Sequence, residues 1–230
     1  MKKTYREPEF YVGIGASAGG LEAIEQFIIN LPEPAECKYA IIIIQHLSPD
    51  YKSMMTEILS KKTQLPVQKV EDGMVAEAGN IYLNTPRKNL KIENGKFMLT
   101  EPDYSTGINF PIDIFLRSLA DDQDKNAVGI ILSGTGSDGT RGIRAIKQNG
   151  GIVFVQDPKS AKFDGMPNAA INTGIVDFIM HPSEMPSQLE VILRHPSTKK
   201  DLDGIELSDT ILNKIFDHIK NKHGVDFKRV

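Results

Sequence analysis

The sequence is poor in cysteine and lacks long apolar runs. Cys37 is the only cysteine among 230 residues, so an intrachain disulfide is excluded and a reducing compartment is expected. The longest apolar run, residues 39–44, is far shorter than the ~20 residues that a membrane-spanning helix needs. The first ten residues contain no apolar core of a secretion signal. These absences predict a cytoplasmic protein that is neither processed nor inserted into a membrane.

Positive charge is not in surplus either. Lys and Arg number 27 against 30 Asp and Glu, which gives a formal net charge of -3. Because a phosphate backbone attracts basic surfaces, nucleic acid is not an expected partner. The sequence also lacks paired cysteines, a His-Glu-x-x-His pattern and the Gly-x-x-x-x-Gly-Lys loop that binds nucleotide phosphates. We therefore expect neither a metal ion nor a cofactor.

What the sequence does contain is an alternation of strand and helix patterns. Four short runs rich in β-branched residues have the character of buried strands: residues 10–15, 39–45, 128–133 and 152–156. Apolar residues at helical spacing lie within residues 21–28, 54–59 and 140–148. Strand followed by helix, repeated along a chain, predicts an α/β fold with a mostly parallel sheet and right-handed crossovers.

Residues 67–100 have a different pattern, in which turn residues separate very short apolar runs. The dipeptide Asn94-Gly95 stands between two alternating runs. It is the strongest hairpin signal, because a type I′ turn requires positive φ at both central positions. This segment predicts a small antiparallel β insertion in the α/β domain.

The order of elements predicts one main domain, over residues 10–195, after an N-terminal arm of residues 1–9. Residues 196–204 are polar and without period, as in a linker. Residues 205–230 contain an amphipathic helix whose apolar stripe has no partner within the segment itself. We expect this helical tail to pack against a partner or against further chain.

The first candidate for chemistry is Ser17, which lies between a predicted buried strand and a predicted helix, in the sequence Gly-Ala-Ser-Ala-Gly-Gly. A turn of this kind holds a side chain at the carboxyl edge of the sheet, where open α/β folds place their sites. The helix that follows directs free N–H groups towards a developing oxyanion. The simpler interpretation is that Ser17 caps the helix, because Ser is among the commonest N-cap residues.

Two further polar residues are delivered to the same edge. His46 follows the most hydrophobic strand, and Asp138 follows the strand at residues 128–133 in the sequence Gly-Thr-Gly-Ser-Asp-Gly. A serine nucleophile needs a base that takes its proton and a carboxylate that orients the base, so the three residues form a chemically complete set. A helix cap is again the simpler interpretation of Asp138, and a lone histidine carries little weight by itself.

A dinucleotide site is the competing hypothesis for this edge. Residues 134–139 follow the pattern Gly-x-Gly-x-x-Gly between strand and helix, and Asp157 ends the next strand at the distance expected of a ribose-binding acid. Asp138, however, would place a negative charge beside the pyrophosphate. Residues 162–167 form a Gly and Pro turn after that strand, and we predict that they line the site, with Pro167 as the first residue of a short helix.

Beyond these single motifs, the chain resembles the catalytic domain of chemotaxis protein-glutamate methylesterases from about residue 10 to residue 193. The resemblance consists of several blocks in the family's order: Gly15-Ala16-Ser17-Ala18-Gly19-Gly20, Gln45-His46, Glu71-Asp72-Gly73, Gly79-Asn80-Ile81-Tyr82, residues 129–134, Gly136-Ser137-Asp138-Gly139 and Gly165-Met166-Pro167. It implies a doubly wound, Rossmann-like α/β fold. It also implies hydrolysis of glutamyl methyl esters on chemoreceptors, with glutamine deamidation as a further activity.

The resemblance assigns roles to individual residues. It implies that Ser17 is the nucleophile, His46 the base and Asp138 the carboxylate. The residues expected to line the site are Ala18, Thr135, Gly136 and Met166. The family often has methionine at position 135, where the backbone N–H serves the oxyanion, and a backbone donor survives replacement of the side chain. The family often has threonine at position 18, so Ala18 is expected to alter rate or substrate preference.

The resemblance also implies partners. The expected substrates are methylated cytoplasmic helices of chemoreceptors. Residues 211–230 are similar to the beginning of the helical domain of a receptor methyltransferase, as found in larger proteins that fuse the two activities. The 230 residues are therefore expected to be a fragment with a methyltransferase domain as fused partner, and control by a receiver domain is not expected. A non-catalytic sensory or docking module is the alternative to the enzyme.

Overall fold

The structure is a computed structural model that describes residues 6–46, 54–102 and 107–194. Its strands are β1 (Phe10–Ala16), β2 (Tyr39–Gln45), β3 (Val67–Lys69), β4 (Ile81–Leu83), β5 (Asn89–Glu93), β6 (Lys96–Thr100), β7 (Ala127–Ile131), β8 (Ile152–Gln156) and β9 (Phe178–Met180). Its α-helices are α1 (Gly20–Ile28), α2 (Met55–Ser60), α3 (Pro111–Gln123), α4 (Thr140–Gln148), α5 (Gly165–Ile171) and α6 (Met185–Arg194). Outside the run of strands from β3 to β6, strands and helices alternate, as the sequence predicts.

Seven of the described strands form one parallel sheet in the order β3-β4-β2-β1-β7-β8-β9. Strand β1 lies in the middle and pairs in register with β2 on one side and with β7 on the other. The strands that follow β1 first lie on one side of it (β2 to β4), and the later ones (β7 to β9) lie on the other side. The strand order therefore reverses between β1 and β7. Ligands of doubly wound sheets bind in the crevice at such a reversal. The predicted, mostly parallel α/β fold is confirmed.

The antiparallel insertion is smaller than the sequence predicts. Strands β3 and β4 pair in parallel and extend the main sheet next to β2, so the prediction was wrong for this part of residues 67–100. Strand β4 is buried at every position, which is the pattern of a strand covered on both faces. Among the described strands only β5 and β6 form a hairpin, and Asn94 (φ 51°) and Gly95 (φ 70°) make its turn as predicted.

Helix α3 packs against β1, β5 and α4 but is absent from the sequence prediction. Pro111 lies at its start, where a missing N–H costs nothing. Its apolar residues recur at helical spacing and are fully buried: Ile112, Phe115, Leu116 and Leu119. This period was present in the sequence and was sufficient to predict the helix.

Glycines on the facing elements let α3 come close. A Cβ at Gly13 in β1 would lie 2.6 Å from Leu116 Cδ2, and one at Gly142 in α4 would lie 2.5 Å from Leu116 Cβ. A Cβ at Gly15 would overlap Ile112. A side chain at any of these positions would push α3 away, so the position of its N-terminus depends on the absence of these Cβ atoms.

The chain divides into two compact units, Met1–Glu190 and Val191–Val230. Of the second unit only residues 191–194, the end of α6, are described. The end of the predicted main domain at residue 195, the linker of residues 196–204 and the tail of residues 205–230 lie outside the described residues and stay predictions. No helix in the described part of the chain is long and apolar enough to cross a membrane.

Candidate active site

The structure brings Ser17, His46 and Asp138 together at the carboxyl edge of the sheet. Ser17 directly follows β1, His46 directly follows β2, and Asp138 lies in the loop between β7 and α4. His46 stands between the other two: its Nδ1 lies 3.1 Å from Ser17 Oγ, and its Nε2 lies 2.8 Å from Asp138 Oδ2. The three side chains form a continuous hydrogen-bonded chain, which we call the relay.

Ser17 does not cap helix α1, contrary to the simpler interpretation of its position. The cap position belongs to Gly19 in the left-handed conformation (φ 69°), and no side chain caps there. The backbone of Ser17 is held instead, because its N–H donates to Ser133 O (3.0 Å) and its C=O accepts from Gly20 N–H (2.9 Å). With its backbone fixed and its hydroxyl outside any cap, Ser17 presents Oγ to His46.

The hydrogen bonds of His46 assign its tautomer. Because Asp138 offers a carboxylate acceptor, Nε2 carries the proton and donates to it, which leaves the lone pair of Nδ1 facing the Ser17 hydroxyl. In the serine protease template the two nitrogens have the opposite assignment, but either ring nitrogen can act as the base. The His46 side chain is 36% exposed, whereas that of Asp138 is 3% exposed. A substrate can therefore approach the base from solvent.

The strand end before His46 is held by Asn84, a residue that sequence reasoning missed. Asn84 Oδ1 accepts from the N–H of Gln45 (3.1 Å), and its Nδ2 donates to the carbonyl oxygen of Gln45 (3.1 Å). The N–H of His46 donates in turn to Ala16 O (3.2 Å). The Asn84 bonds continue the pairing of β2 with β4, and the His46 bond continues the pairing of β1 with β2, up to the point where His46 leaves the sheet.

Asp138 is held by the N-terminus of α3. Its Oδ2 accepts from the N–H of Ile112 (3.0 Å) as well as from His46, and its Oδ1 accepts from the N–H of Asp113 (2.9 Å). The cap of α4 is Gly139 (φ 95°), without a side-chain hydrogen bond. Asp138 therefore does not cap α4, contrary to the simpler interpretation, and accepts instead from the first N–H groups of α3. The free N–H groups and the dipole of α3 stabilise the negative charge that faces His46.

Met166 lies against the Ser17 turn because position 134 is glycine. A Cβ at Gly134 would overlap Met166 Sδ and would lie 2.9 Å from Ser17 Cβ. Met166 is fully buried in α5. Pro167 is the third residue of this helix, where the sequence predicts the first, and it is tolerated there because the N–H groups of the first turn have no intrahelical acceptor.

Three backbone N–H groups at this edge belong to residues that are predicted to line the site. Within the described residues, the N–H groups of Ala18, Thr135 and Gly136 have no hydrogen-bond acceptor. Ala18 belongs to the turn of Ser17, and the other two belong to the loop between β7 and α4, where Gly136 has φ 82°. Fixed donors of this kind stabilise negative charge that develops on a carbonyl oxygen.

Ser133 connects the loops around the site, and sequence reasoning missed this role. Its N–H donates to Gln156 Oε1 (2.8 Å), and its Oγ accepts from Phe163 N–H (3.0 Å) and donates to Ala18 O (2.9 Å). The sequence places Ser133 in a strand, but β7 ends at Ile131, so Ser133 belongs to the loop. A polar residue at the end of a buried run was the available signal.

The acid that a dinucleotide site needs makes a local hydrogen bond, and a second acid lies where the pyrophosphate would bind. Asp157, the candidate ribose-binding residue, accepts from the N–H of Lys159 (3.0 Å) and starts its own short turn. Asp138 lies buried in the turn that a pyrophosphate would occupy. Across residues 6–46, 54–102 and 107–194, no group of three His, Cys, Asp or Glu side chains converges to hold a metal ion.

Several known proteins are similar to this chain in sequence or in fold. A family model described as CheB methylesterase matches residues 12–189. A protein-glutamate methylesterase/protein-glutamine glutaminase from Photorhabdus laumondii is 33% identical over 185 residues, which cover 79% of this chain and 52% of that protein. A protein of 104.1 kDa from Rhodobacter capsulatus, described as uncharacterized, is 37% identical over 156 residues, which cover 67% of this chain and 16% of that protein.

Among solved structures, the crystal structure of the Thermotoga maritima CheB methylesterase catalytic domain matches with a TM-score of 0.71 and 30% sequence identity. The match covers 78% of this chain and 96% of that chain. The chain spans about half, or less, of the length of the two curated relatives.

Proposed function

Because the chain belongs to the CheB methylesterase family, we propose that it is a protein-glutamate methylesterase, a serine hydrolase that demethylates glutamyl methyl esters on chemoreceptors. The observation that carries the proposal is the relay of Ser17, His46 and Asp138, in which each hydrogen bond has the donor and acceptor that acyl transfer requires. The relative from Photorhabdus laumondii is also named a glutaminase, so we include deamidation of a receptor glutamine as a second reaction of the same site.

In the first step, Ser17 Oγ attacks the ester carbonyl carbon while Nδ1 of His46 removes the hydroxyl proton. The carbonyl oxygen becomes an anion, to which we assign the N–H groups of Ala18, Thr135 and Gly136 as donors, since they have no acceptor among the described residues. The imidazolium of His46 is stabilised by the Asp138 carboxylate. Nδ1 then gives its proton to the departing methanol oxygen, and the acyl group stays on Ser17.

Water completes the reaction. Nδ1 of His46 takes a proton from a water molecule that attacks the acyl carbon, and it returns this proton to Ser17 Oγ as the acyl bond breaks. With a glutamine substrate the leaving group is ammonia, which receives the first proton in place of methanol. Each cycle yields a glutamate carboxylate, and no step draws on a metal or a cofactor.

The proposed substrates are methylated helices of the cytoplasmic part of chemoreceptors, and the proposed place of action is the cytoplasm. The partly exposed ring of His46 supports a substrate that is itself a protein surface. Cys37 is a free, buried thiol, in keeping with a reducing compartment. A fused methyltransferase domain is proposed from residues 211–230, and the match to a small part of a 104.1 kDa relative supports a larger parent protein.

Methanol release from a methyl-esterified chemoreceptor fragment tests the proposal. We expect release by the wild-type protein, and we expect Ser17→Ala to lower kcat by ~10⁴-fold or more because the attacking oxygen is gone. A matched control is Ser187→Ala, which removes an exposed hydroxyl on α6 and should keep full activity. Methanol release that does not depend on Ser17 would contradict the proposed mechanism.

A docking module without chemistry is the alternative that the same experiment separates. Such a protein would bind the methylated fragment and release no methanol from it. The intact hydrogen bonds of the relay argue against this alternative, because a docking surface has no need of them. A thermal shift assay with NAD(P) tests the dinucleotide hypothesis, because a ligand that binds specifically must stabilise the folded state. We expect no shift.

A further inference from the structure

The N-termini of α3 and α4 are held by two aspartates, one in the first turn of α3 and one just before α4. Asp113, in the first turn of α3, accepts through Oδ1 from the N–H groups of Arg141 (2.9 Å) and Gly142 (2.8 Å) at the start of α4. Asp138, just before α4, accepts from the N–H groups of Ile112 and Asp113 at the start of α3. The two carboxylates thus close a ring of four hydrogen bonds between the helices, which we call the reciprocal clamp.

The start of α4 has no acidic residue of its own for this task. Its cap is Gly139, which has no side chain, and its first turn contains no carboxylate. Asp113, which is 6% exposed, therefore satisfies two of the N–H groups that every helix start leaves without an intrahelical acceptor. Without this carboxylate the start of α4 must move or admit water, because buried donors without an acceptor are costly.

Movement of the start of α4 reaches the relay directly. Asp138 is adjacent in the chain to Gly139, the cap of α4. Its Oδ2 is shared between the N–H of Ile112 and Nε2 of His46, so a small shift of this carboxylate changes the bond that orients the imidazole. Helix α3 cannot follow by moving closer, because its side chains already fill the space over Gly15 and Gly142.

We infer that Asp113 is a positioning residue of the relay: by binding the start of α4 it fixes Asp138, and through Asp138 the ring of His46. Asp113 has no contact with Ser17 or His46 among its described hydrogen bonds, so it acts through Asp138 alone. The inference rests on the proposed function and adds to it a residue outside the relay.

The electrostatic surroundings of Asp113 agree with a carboxylate that is held in place against repulsion. Burial raises the pKa of Asp113, and the neighbouring Asp138 carboxylate raises it as well, whereas the N–H groups of Gly142 and Arg141 and the charge of Arg141 lower it. Two buried carboxylates this close disfavour each other. The four N–H groups of the reciprocal clamp offset only part of this repulsion, since the pKa of Asp113 stays raised.

The test compares two aspartates on the same helix. Asp113→Ala removes the two bonds of the reciprocal clamp that the Asp113 side chain accepts, whereas Asp122→Ala removes the acceptor of the N–H groups of Asn94 and Gly95 at the other end of α3. Each substitution deletes one carboxylate that binds two backbone N–H groups. Asp113→Asn keeps an acceptor oxygen and removes only the charge. The first readout is the rate at which a fluorophosphonate probe labels Ser17, which requires the relay but no methyl ester.

We expect Asp113→Ala to lower the labelling rate, and kcat for methanol release, by about 10²-fold with KM unchanged, because a small misplacement of a catalytic group costs this much. Asp122→Ala should keep the wild-type rate, and Asp113→Asn should restore part of the loss. The pH below which the rate falls should shift in Asp113→Ala and stay unchanged in Asp122→Ala. Only the first substitution moves Asp138, the carboxylate that binds His46.

A folded Asp113→Ala protein with the wild-type labelling rate would overturn the inference, as would equal losses in Asp113→Ala and Asp122→Ala. If Asp113→Ala does not fold, Asp113→Leu, which fills similar space without an acceptor, decides: slower labelling supports the positioning role, and the wild-type rate overturns it. Wild-type protein that labels at Ser17 but releases no methanol would contradict the proposed function alone. Labelling no faster than in Ser17→Ala would overturn both.

Discussion

The two ends of helix α3 use the same chemistry for different purposes. At its start, two backbone N–H groups bind the carboxylate of Asp138, which faces His46. Near its end, Asp122 accepts from the N–H groups of Asn94 and Gly95 in the turn between β5 and β6. One end orients a reactive group, and the other attaches a hairpin. A carboxylate bound by two amides is therefore not by itself a mark of function, because what else it faces decides its role.

The aspartates at the two ends of α3 also differ in burial. The side chain of Asp138 is 3% exposed, so water screens its charge little, whereas Asp122 is only half-buried. Changes at the start of α3 should therefore act mainly on activity, and changes at its end mainly on stability.

The largest effect is expected from Asp138→Asn, at the start of α3. An amide cannot accept hydrogen bonds at both oxygen positions, so it loses the bond to either Ile112 or Asp113, and as a neutral group it no longer stabilises the imidazolium of His46. We expect kcat for methanol release to fall by ~10⁴-fold, as in other relays whose carboxylate is replaced by an amide. Steady-state kinetics on protein with a wild-type circular dichroism spectrum measures it, and a loss below tenfold would contradict the role of Asp138.

A smaller effect on both properties is expected from Gly15→Ala, which pushes on α3 without touching the relay. The new Cβ overlaps Ile112, whose N–H binds Asp138. Overpacking of this kind costs about 1–3 kcal/mol of unfolding free energy, and we expect kcat to fall together with stability. Urea denaturation and methanol release on the same sample check this. Full activity at reduced stability would show that the relay tolerates movement of α3.

At the other end of the helix, Asp122→Ala should act on stability alone. It leaves the N–H groups of Asn94 and Gly95 without their acceptor at the surface of the hairpin. We expect a loss of about 1 kcal/mol in the free energy of unfolding and an unchanged kcat. Loss of activity in a variant that is still folded would mean that the two ends of α3 are coupled, which would break the comparison.

The smallest effect is a pH dependence at the start of α3. Burial raises the pKa of Asp113, so the folded protein holds this proton more tightly than the unfolded chain. Its contribution to stability is fully present below the ordinary aspartate value of ~3.9 and is lost as pH rises through the raised folded-state pKa. The unfolding free energy of the wild type minus that of Asp113→Asn should therefore fall as pH rises towards neutrality. Urea denaturation at several pH values measures this difference, and a rise with pH would contradict it.

The positions of Ser17, His46 and Asp138 could be predicted because each follows a strand whose β-branched run is visible in the sequence. Parallel strands end at one edge, so three strand ends suffice to bring three side chains near each other. The parallel pairing of β3 and β4 could not be predicted in the same way. Strands of three residues are too short for a period to separate parallel from antiparallel pairing.

The hydrogen bonds between Asp138 and the start of α3 also could not be predicted. The bond from Asp138 to the N–H of Asp113 spans 25 residues of sequence. The apolar period of α3 is enough to predict a helix but does not tell which loop the start of that helix will meet. This depends on close packing over Gly15 and Gly142, where only the absence of a Cβ permits the approach. A cap supplied by the residue just before a helix has a local sequence pattern. A cap supplied by another element of the fold has no such pattern.

Trapping the covalent intermediate tests the role of Ser17 as nucleophile most directly. The wild-type protein would be mixed with a methyl-esterified receptor peptide, quenched in acid within the first turnover and mapped by mass spectrometry. We predict that the acyl group of the peptide, without its methanol, is found on the fragment that contains Ser17, and that Ser17→Ala carries none. An adduct on another residue, or product formed by Ser17→Ala at the wild-type rate, would contradict the account.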